Sequence, residues 1–99
     1  MVTEVTDMST IEEGNVLVDF YATTCGPCKA LNPILEEISQ EFENVTVDKI
    51  DVTANPEASQ RFGVMNLPTV IFMKNCKVKQ TLRGLSSKET ILSMIRANL

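Results

Sequence analysis

The segment that most constrains the fold is a nearly continuous apolar run over Val16–Tyr21, interrupted only by Asp19. Such a run is typical of a central strand that is covered on both faces of a sheet. Shortly after it, apolar residues recur at spacings of three and four between Leu31 and Phe42, which predicts an amphipathic helix running to about Glu43. The run and the helix together predict the strand–helix unit of an α/β protein.

The remaining apolar patterns continue this alternation. Four further segments have strand patterns: Val2–Val5, Val45–Val52, Thr69–Met73 and Lys77–Leu82. Asn75 and Cys76 lie between the last two strands, in the position of a two-residue hairpin turn. The hairpin places antiparallel strands at one side of an otherwise parallel sheet, so the sequence predicts a mixed sheet between layers of helices.

Three more helices are predicted from their start and stop signals. Ser9–Glu12 reads as a capping box that opens a short helix ending at Gly14, and Ser86–Glu89 is a second capping box that opens the last helix. Asn55 followed by a first-turn proline predicts a helix through Phe62. The element order is therefore β-α-β-α-β-α-β-β-α.

Length and composition indicate one domain over residues 1–99. The chain is 43% apolar, which is enough to bury a core without disulfide staples. Nine basic and thirteen acidic residues give a net charge of -4, and the acidic balance argues against nucleic acid or anionic lipid as a partner.

The N-terminal segment Met1–Asp7 lacks the basic start and apolar block of a signal peptide. No apolar run approaches the roughly 20 residues that a membrane helix needs. We therefore expect a cytoplasmic protein without membrane contact, although an organelle protein stripped of its transit peptide would have the same features.

Cysteine usage points to the chemistry. The chain has no histidine and three cysteines, of which Cys25 and Cys28 form a Cys-x-x-Cys motif. Zinc sites use the same spacing, but a closed zinc site needs four ligands, and Cys76 is far along the chain in the predicted hairpin turn. These observations favour a redox pair over a metal site or a purely structural role, and we expect neither a metal nor another cofactor.

The position of the motif predicts how it reacts. Cys25 follows a buried strand and opens a helix, where free N–H groups and the positive end of the helix dipole stabilise a thiolate. Ordinary cysteine has a pKa of roughly 8.5, so this stabilisation is needed at neutral pH. Cys28 lies one turn further in, and we expect it to be less exposed and to act second. The pair would then reduce a substrate disulfide through a mixed disulfide on Cys25, which Cys28 resolves.

Two charged residues are candidate catalytic groups. Asp19 lies on the strand leading to the motif; if it is buried, desolvation raises its pKa and makes it a proton acceptor for Cys28. Lys49 on a neighbouring strand is its expected charge partner. An equally weighted alternative is that Asp19 and Lys49 merely satisfy one another. Tyr21 is interpreted as a packing residue.

Several motifs resemble the thioredoxin family in order and spacing. They are Val18-Asp19-Phe20, Cys25-Gly26-Pro27-Cys28-Lys29, Pro33, Lys49, Leu67-Pro68-Thr69 and Gly84. The resemblance covers the whole chain and implies the thioredoxin fold: a central mixed five-stranded sheet, with strand order 1-3-2-4-5, flanked by four helices.

The resemblance also implies roles for residues outside the cysteine pair. Pro68 is expected to be cis and to pack against the pair, while the backbone of Leu67 bonds an extended substrate segment and Gly84 borders the substrate groove. Gly26 and Pro27 are placed in the same substrate-binding surface, and this dipeptide resembles that of the reducing members.

The family further implies partners. An NADPH-dependent flavoprotein thioredoxin reductase is expected to reset the pair, and disulfide-containing client proteins are expected substrates, so the chain would act as a monomeric electron carrier. Thr24 departs from the family, which usually has tryptophan before the first cysteine. This departure motivates an alternative: a partner-binding scaffold in which redox activity is incidental.

Cys76 is the third cysteine. Related sequences favour glycine after the turn asparagine, which implies a positive φ, and a left-handed conformation would cost a cysteine roughly 1–2 kcal/mol. We interpret it as an exposed free thiol, with a site of glutathionylation or intermolecular disulfide formation as the alternative.

Overall fold

A five-stranded mixed sheet organises the computed structural model, which describes residues 1–99. The strands are β1 (Val2–Val5), β2 (Asn15–Tyr21), β3 (Val45–Asp51), β4 (Thr69–Lys74) and β5 (Lys77–Arg83). Their order is β1-β3-β2-β4-β5, with β3 parallel to both β1 and β2, and with β4 antiparallel to both β2 and β5. The predicted mixed sheet and its strand order are confirmed.

Three α-helices cover the sheet: α1 (Gly26–Glu41), α2 (Pro56–Arg61) and α3 (Lys88–Asn98). The prediction of four helices is wrong, because the segment assigned to the first of them forms only a 3-10 turn at Met8–Thr10. Asp7, which precedes the predicted capping box, accepts the Ser9 N–H at 2.9 Å and caps this turn. Ile11 then has an extended backbone and is buried, so the chain returns to the core before a second helical turn can form.

The two faces of the sheet carry separate apolar cores. One core joins the sheet to α1 and α3 and includes Leu17 of β2, Leu31 and Ile91. The other joins it to α2 and the 3-10 turn and includes Val18 and Phe20 of β2. Because alternate residues of β2 enter different cores, the whole strand is apolar, as its sequence predicted. Asp19, two residues after Leu17, therefore lies on the face that packs against α1.

The structure corrects the predicted start of the last helix and confirms the predicted hairpin turn. Ser87, not Ser86, caps α3, with its Oγ accepting the Thr90 N–H at 3.2 Å. Asn75 and Cys76 form the predicted hairpin turn, with φ angles of 51° and 68°.

None of the helices combines the length and apolar character needed to cross a membrane.

Candidate active site

Cys25 lies at the N-cap of α1, where a short loop connects β2 to the helix. Its N–H donates to the Ala22 carbonyl at 3.1 Å, which turns the chain at the end of the strand. Its Sγ accepts the N–H of Cys28 at 3.2 Å. The sulfur thus occupies the position in which a helix N-terminus offers free N–H donors and a partial positive charge.

Cys25 and Cys28 are joined by a disulfide, with their Cα atoms 5.3 Å apart. Cys25 is half-buried, whereas Cys28 is only 2% exposed. One sulfur is therefore open to a partner, and the other is shielded by the helix and the sheet, as expected for two cysteines that act in sequence. The third cysteine, Cys76, is exposed and unpaired in the hairpin turn.

Asp19 is fully buried, and neither oxygen of its carboxyl group has a hydrogen-bond partner. Burial raises its pKa from the ordinary 3.8 to about 7, against a lowering effect of Lys49 and with a smaller raising effect of Glu4. Lys49 lies directly opposite Asp19 on β3. The two side chains nevertheless form neither a hydrogen bond nor an ion pair, so they do not satisfy one another by direct contact.

The Lys49 ammonium instead lies over the ring of Tyr21, with Nζ 5.2 Å from the ring centroid. The Tyr21 hydroxyl donates to Glu4 Oε1 at 2.6 Å. Burial and this bond to a carboxylate raise the pKa of Tyr21, so the phenol keeps its proton. The sequence predicts only a packing role for Tyr21 and no role for Glu4, whereas both lie around Lys49. The available signal was strand periodicity, because Tyr21 follows Asp19 by two residues and shares its face.

A pocket of about 260 Å³ opens beside the disulfide. Its lining comes from the end of β2, the first turns of α1 and the middle of β3: Tyr21, Ala22, Thr23, Cys28, Lys29, Asn32 and Lys49. Cys28 and Lys49 both line this pocket, and Lys49 is the β3 residue opposite Asp19. No cluster of three or more cysteine and acidic side chains has the geometry of a metal site.

A second group of predicted residues lies at the start of β4. The Leu67–Pro68 bond is cis, and the Pro68 carbonyl accepts the Gly84 N–H at 2.8 Å. Thr69 pairs with Phe20, so Pro68 lies at the end of the sheet from which β2 leads to Cys25. Gly84 has a φ of +83°, which disfavours a side chain there even though the space around it is open. The remaining predicted residues, Thr24, Gly26 and Pro27, are exposed around the cysteine pair.

The model of the thioredoxin family matches residues 3–97. The chain belongs to the thioredoxin family. Among its relatives, the thioredoxin of Listeria monocytogenes is 45% identical over 100 residues, covering 96% of each chain, and that of Rickettsia bellii is 41% identical over 105 residues, covering both chains fully.

Solved structures of the thioredoxin family share this fold. The oxidised form of mitochondrial thioredoxin 3 from Saccharomyces cerevisiae aligns with a TM-score of 0.88 at 26% identity, covering 97% of this chain and 94% of that one. A mutant thioredoxin from Halobacterium salinarum aligns with a TM-score of 0.90 at 28% identity, covering 97% of this chain and 88% of that one. This thioredoxin-family chain, with its bonded Cys25–Cys28 pair, is a protein dithiol–disulfide oxidoreductase.

Proposed function

We propose that this protein reduces disulfides of client proteins, with Cys25 as the attacking sulfur and Cys28 as the resolving one. The observation that carries this assignment is the place of the Cys25 sulfur, at the N-cap of α1 and within bonding distance of the Cys28 amide. In the reduced protein, these N–H groups and the helix dipole stabilise a thiolate on Cys25. The greater exposure of Cys25 gives a client disulfide access to that thiolate.

The reaction has two exchange steps. The Cys25 thiolate attacks one sulfur of the client disulfide, and the other client sulfur leaves as a thiolate that takes up a proton. Cys28 then loses its proton and attacks the Cys25 sulfur, which releases the second client sulfur. Two electrons pass to the client, and the protein is left with the Cys25–Cys28 disulfide that the structure contains.

Asp19 is the proposed acceptor of the Cys28 proton. A base works best when its pKa is close to the ambient pH, and the pKa of Asp19 is about 7. Its carboxyl group is free of other hydrogen bonds. Lys49 acts electrostatically on the Asp19 carboxyl group from the neighbouring strand β3. Lys49 and Cys28 also line the same pocket, and this pocket is the proposed route of the proton to solvent.

Six residues form the proposed client-binding surface: Thr24, Gly26, Pro27, Leu67, Pro68 and Gly84. Pro68 is buried in the free protein, and the other five are exposed or half-buried. The hydrogen bond between Gly84 and Pro68 ties two parts of this surface together. Exposed apolar side chains flank it in the sequence, with Met65 89% and Leu85 54% exposed. Exposed apolar side chains suit an extended, partly unfolded client segment.

The proposed electron donor is an NADPH-dependent flavoprotein thioredoxin reductase, which would make this chain an electron carrier between NADPH and client disulfides. A disulfide reductase needs a compartment in which its own pair is reduced again, and this supports a cytoplasmic location. We propose that residues 1–99 form one domain, because both apolar cores share a single sheet, and that this domain acts as a monomer.

Reduction of a model protein disulfide by dithiothreitol tests this function. The native protein is expected to accelerate the reaction, Cys25→Ser is expected to abolish the acceleration, and Cys76→Ser, the matched control at the third cysteine, is expected to retain it. Full acceleration by Cys25→Ser would show that the assigned nucleophile is wrong.

Trapping distinguishes a reductase from a binding scaffold. Cys28→Ser is expected to hold many clients as mixed disulfides on Cys25, which dithiothreitol then releases. A single partner that is retained equally by the double variant Cys25→Ser/Cys28→Ser would support the scaffold alternative.

A further inference from the structure

Three ionisable side chains lie in one row across the sheet. On β3, Lys49 is directly opposite Glu4 of β1 on one side and Asp19 of β2 on the other. A lysine between two carboxylates would be expected to form an ion pair with at least one of them. It forms an ion pair with neither.

Tyr21 accounts for this arrangement. Its side chain starts on β2, on the same face as Asp19, and its hydroxyl reaches across β3 to Glu4. This bond occupies one oxygen of Glu4 and anchors the ring, and the Lys49 ammonium lies 5.2 Å from the ring centroid. A cation at this distance from an aromatic face is attracted by the ring quadrupole.

We propose that Tyr21 is a positioning residue of the redox site, whose ring, anchored by Glu4, holds the Lys49 ammonium near Asp19 but out of contact with it. The consequence for the reaction rests on the proposed role of Asp19 as proton acceptor. A directly bonded ammonium would stabilise the carboxylate and weaken it as a base, whereas an ammonium held at the ring exerts only a through-space effect.

The charged and titratable groups that face Asp19 are few. Lys49 comes from β3, Glu4 from β1, and Tyr21 from its own strand. Cys28 comes from α1 and does not titrate while it is disulfide-bonded. In the oxidised protein, a change in the Asp19 midpoint therefore reports on the burial of Asp19 and on these three neighbours.

The test is a pH titration of the Asp19 carboxyl carbon by NMR in the oxidised protein. Tyr21→Leu removes the aromatic ring and keeps an apolar side chain. It is expected to free Lys49 to bond Asp19 and to lower the Asp19 midpoint by about half a pH unit or more. Tyr21→Phe keeps the ring and is expected to stay closer to the native midpoint.

A double variant separates positioning from a general structural effect. If Tyr21 acts through Lys49, Tyr21→Leu lowers the midpoint in the native background and has no effect in a Lys49→Met background. A native-like midpoint in Tyr21→Leu, or a lowering that persists without Lys49, would overturn the proposal. Neither measurement depends on catalysis. The proposed role of Asp19 is tested separately by the rate at which Asp19→Asn resolves a mixed disulfide.

The native protein offers a further check that needs no substitution. A lysine over an aromatic face shows upfield ring-current shifts of its Cε protons. We expect such shifts for Lys49 and not for Lys29, which lines the same pocket without an aromatic contact. Unshifted Lys49 protons would show that the ammonium is not held at the ring, and the proposal would then be wrong.

Discussion

Asp19 and Lys49 lie opposite each other on the parallel strands β2 and β3, yet no hydrogen bond or ion pair joins their side chains. The carboxyl group is fully buried and the ammonium group is turned to the ring of Tyr21. A buried acid without a bonded counter-ion holds its proton up to neutral pH, and both the stability and the chemistry of the protein then depend on pH.

Asp19→Asn is expected to stabilise the oxidised protein at neutral and alkaline pH. The pKa of Asp19 is 3.8 in its ordinary state and about 7 in the folded protein, so the protonated form is favoured by folding. The contribution of Asp19 to stability is therefore fully present below about pH 4 and is lost as the pH rises through about 7. Above that pH the loss approaches about 4 kcal/mol, which the uncharged amide avoids.

Urea unfolding of the native protein and the Asp19→Asn variant at about pH 3 and about pH 8 measures this difference. The two proteins are expected to be close in stability in acid and to diverge in base. If the two proteins were equally stable at each pH, burial would not hold a proton on the Asp19 carboxyl group.

Lys49→Met is expected to move the Asp19 midpoint further upward. Lys49 lowers the pKa of Asp19 through space, so removal of the positive charge leaves burial and Glu4 to act alone. The matched control is Lys29→Met, which removes another lysine of the same pocket without a comparable effect on Asp19. NMR titration of the Asp19 carboxyl carbon measures the midpoint in both variants. An equal shift in the two variants would contradict a specific effect of Lys49 on Asp19.

Ser87→Ala is expected to destabilise the protein by about 1 kcal/mol, because the Ser87 hydroxyl caps α3 by accepting the Thr90 N–H. Ser86→Ala, one residue earlier, is the control and is expected to change stability by a few tenths of a kcal/mol at most. Urea denaturation gives both values. The opposite ranking would place the helix start at Ser86, as the capping-box pattern suggested.

Cys76→Gly is expected to stabilise the hairpin. Cys76 has a φ of 68°, a region that is unfavourable for residues with a Cβ atom and open to glycine. Allowing for the greater freedom of glycine in the unfolded chain, the gain should be about 0.5–1 kcal/mol. Cys76→Ala removes the thiol but keeps the strain and is expected to show no such gain. If both substitutions stabilise equally, the thiol rather than the backbone carries the cost.

Local patterns predicted most of the fold. The apolar run of β2, the helical spacing of α1 and the hairpin turn at Asn75 and Cys76 each depend on neighbouring residues, and each is present in the structure. The first predicted helix was wrong because burial of Ile11 overrides the helix-start signal at Ser9. The start of α3 was misplaced by one residue because two consecutive serines offer the same cap.

That a cysteine pair follows a buried strand and opens a helix can be read from the amino-acid sequence, since strand, turn and helix are contiguous in the chain. The surroundings of Asp19 depend on long-range packing. Glu4, Lys49 and Tyr21 come from three different strands, and their positions relative to one another follow from the sheet register and from the bond between Tyr21 and Glu4. The spacing of residues along the chain does not encode this register, because the register is set by how the two cores pack against the sheet.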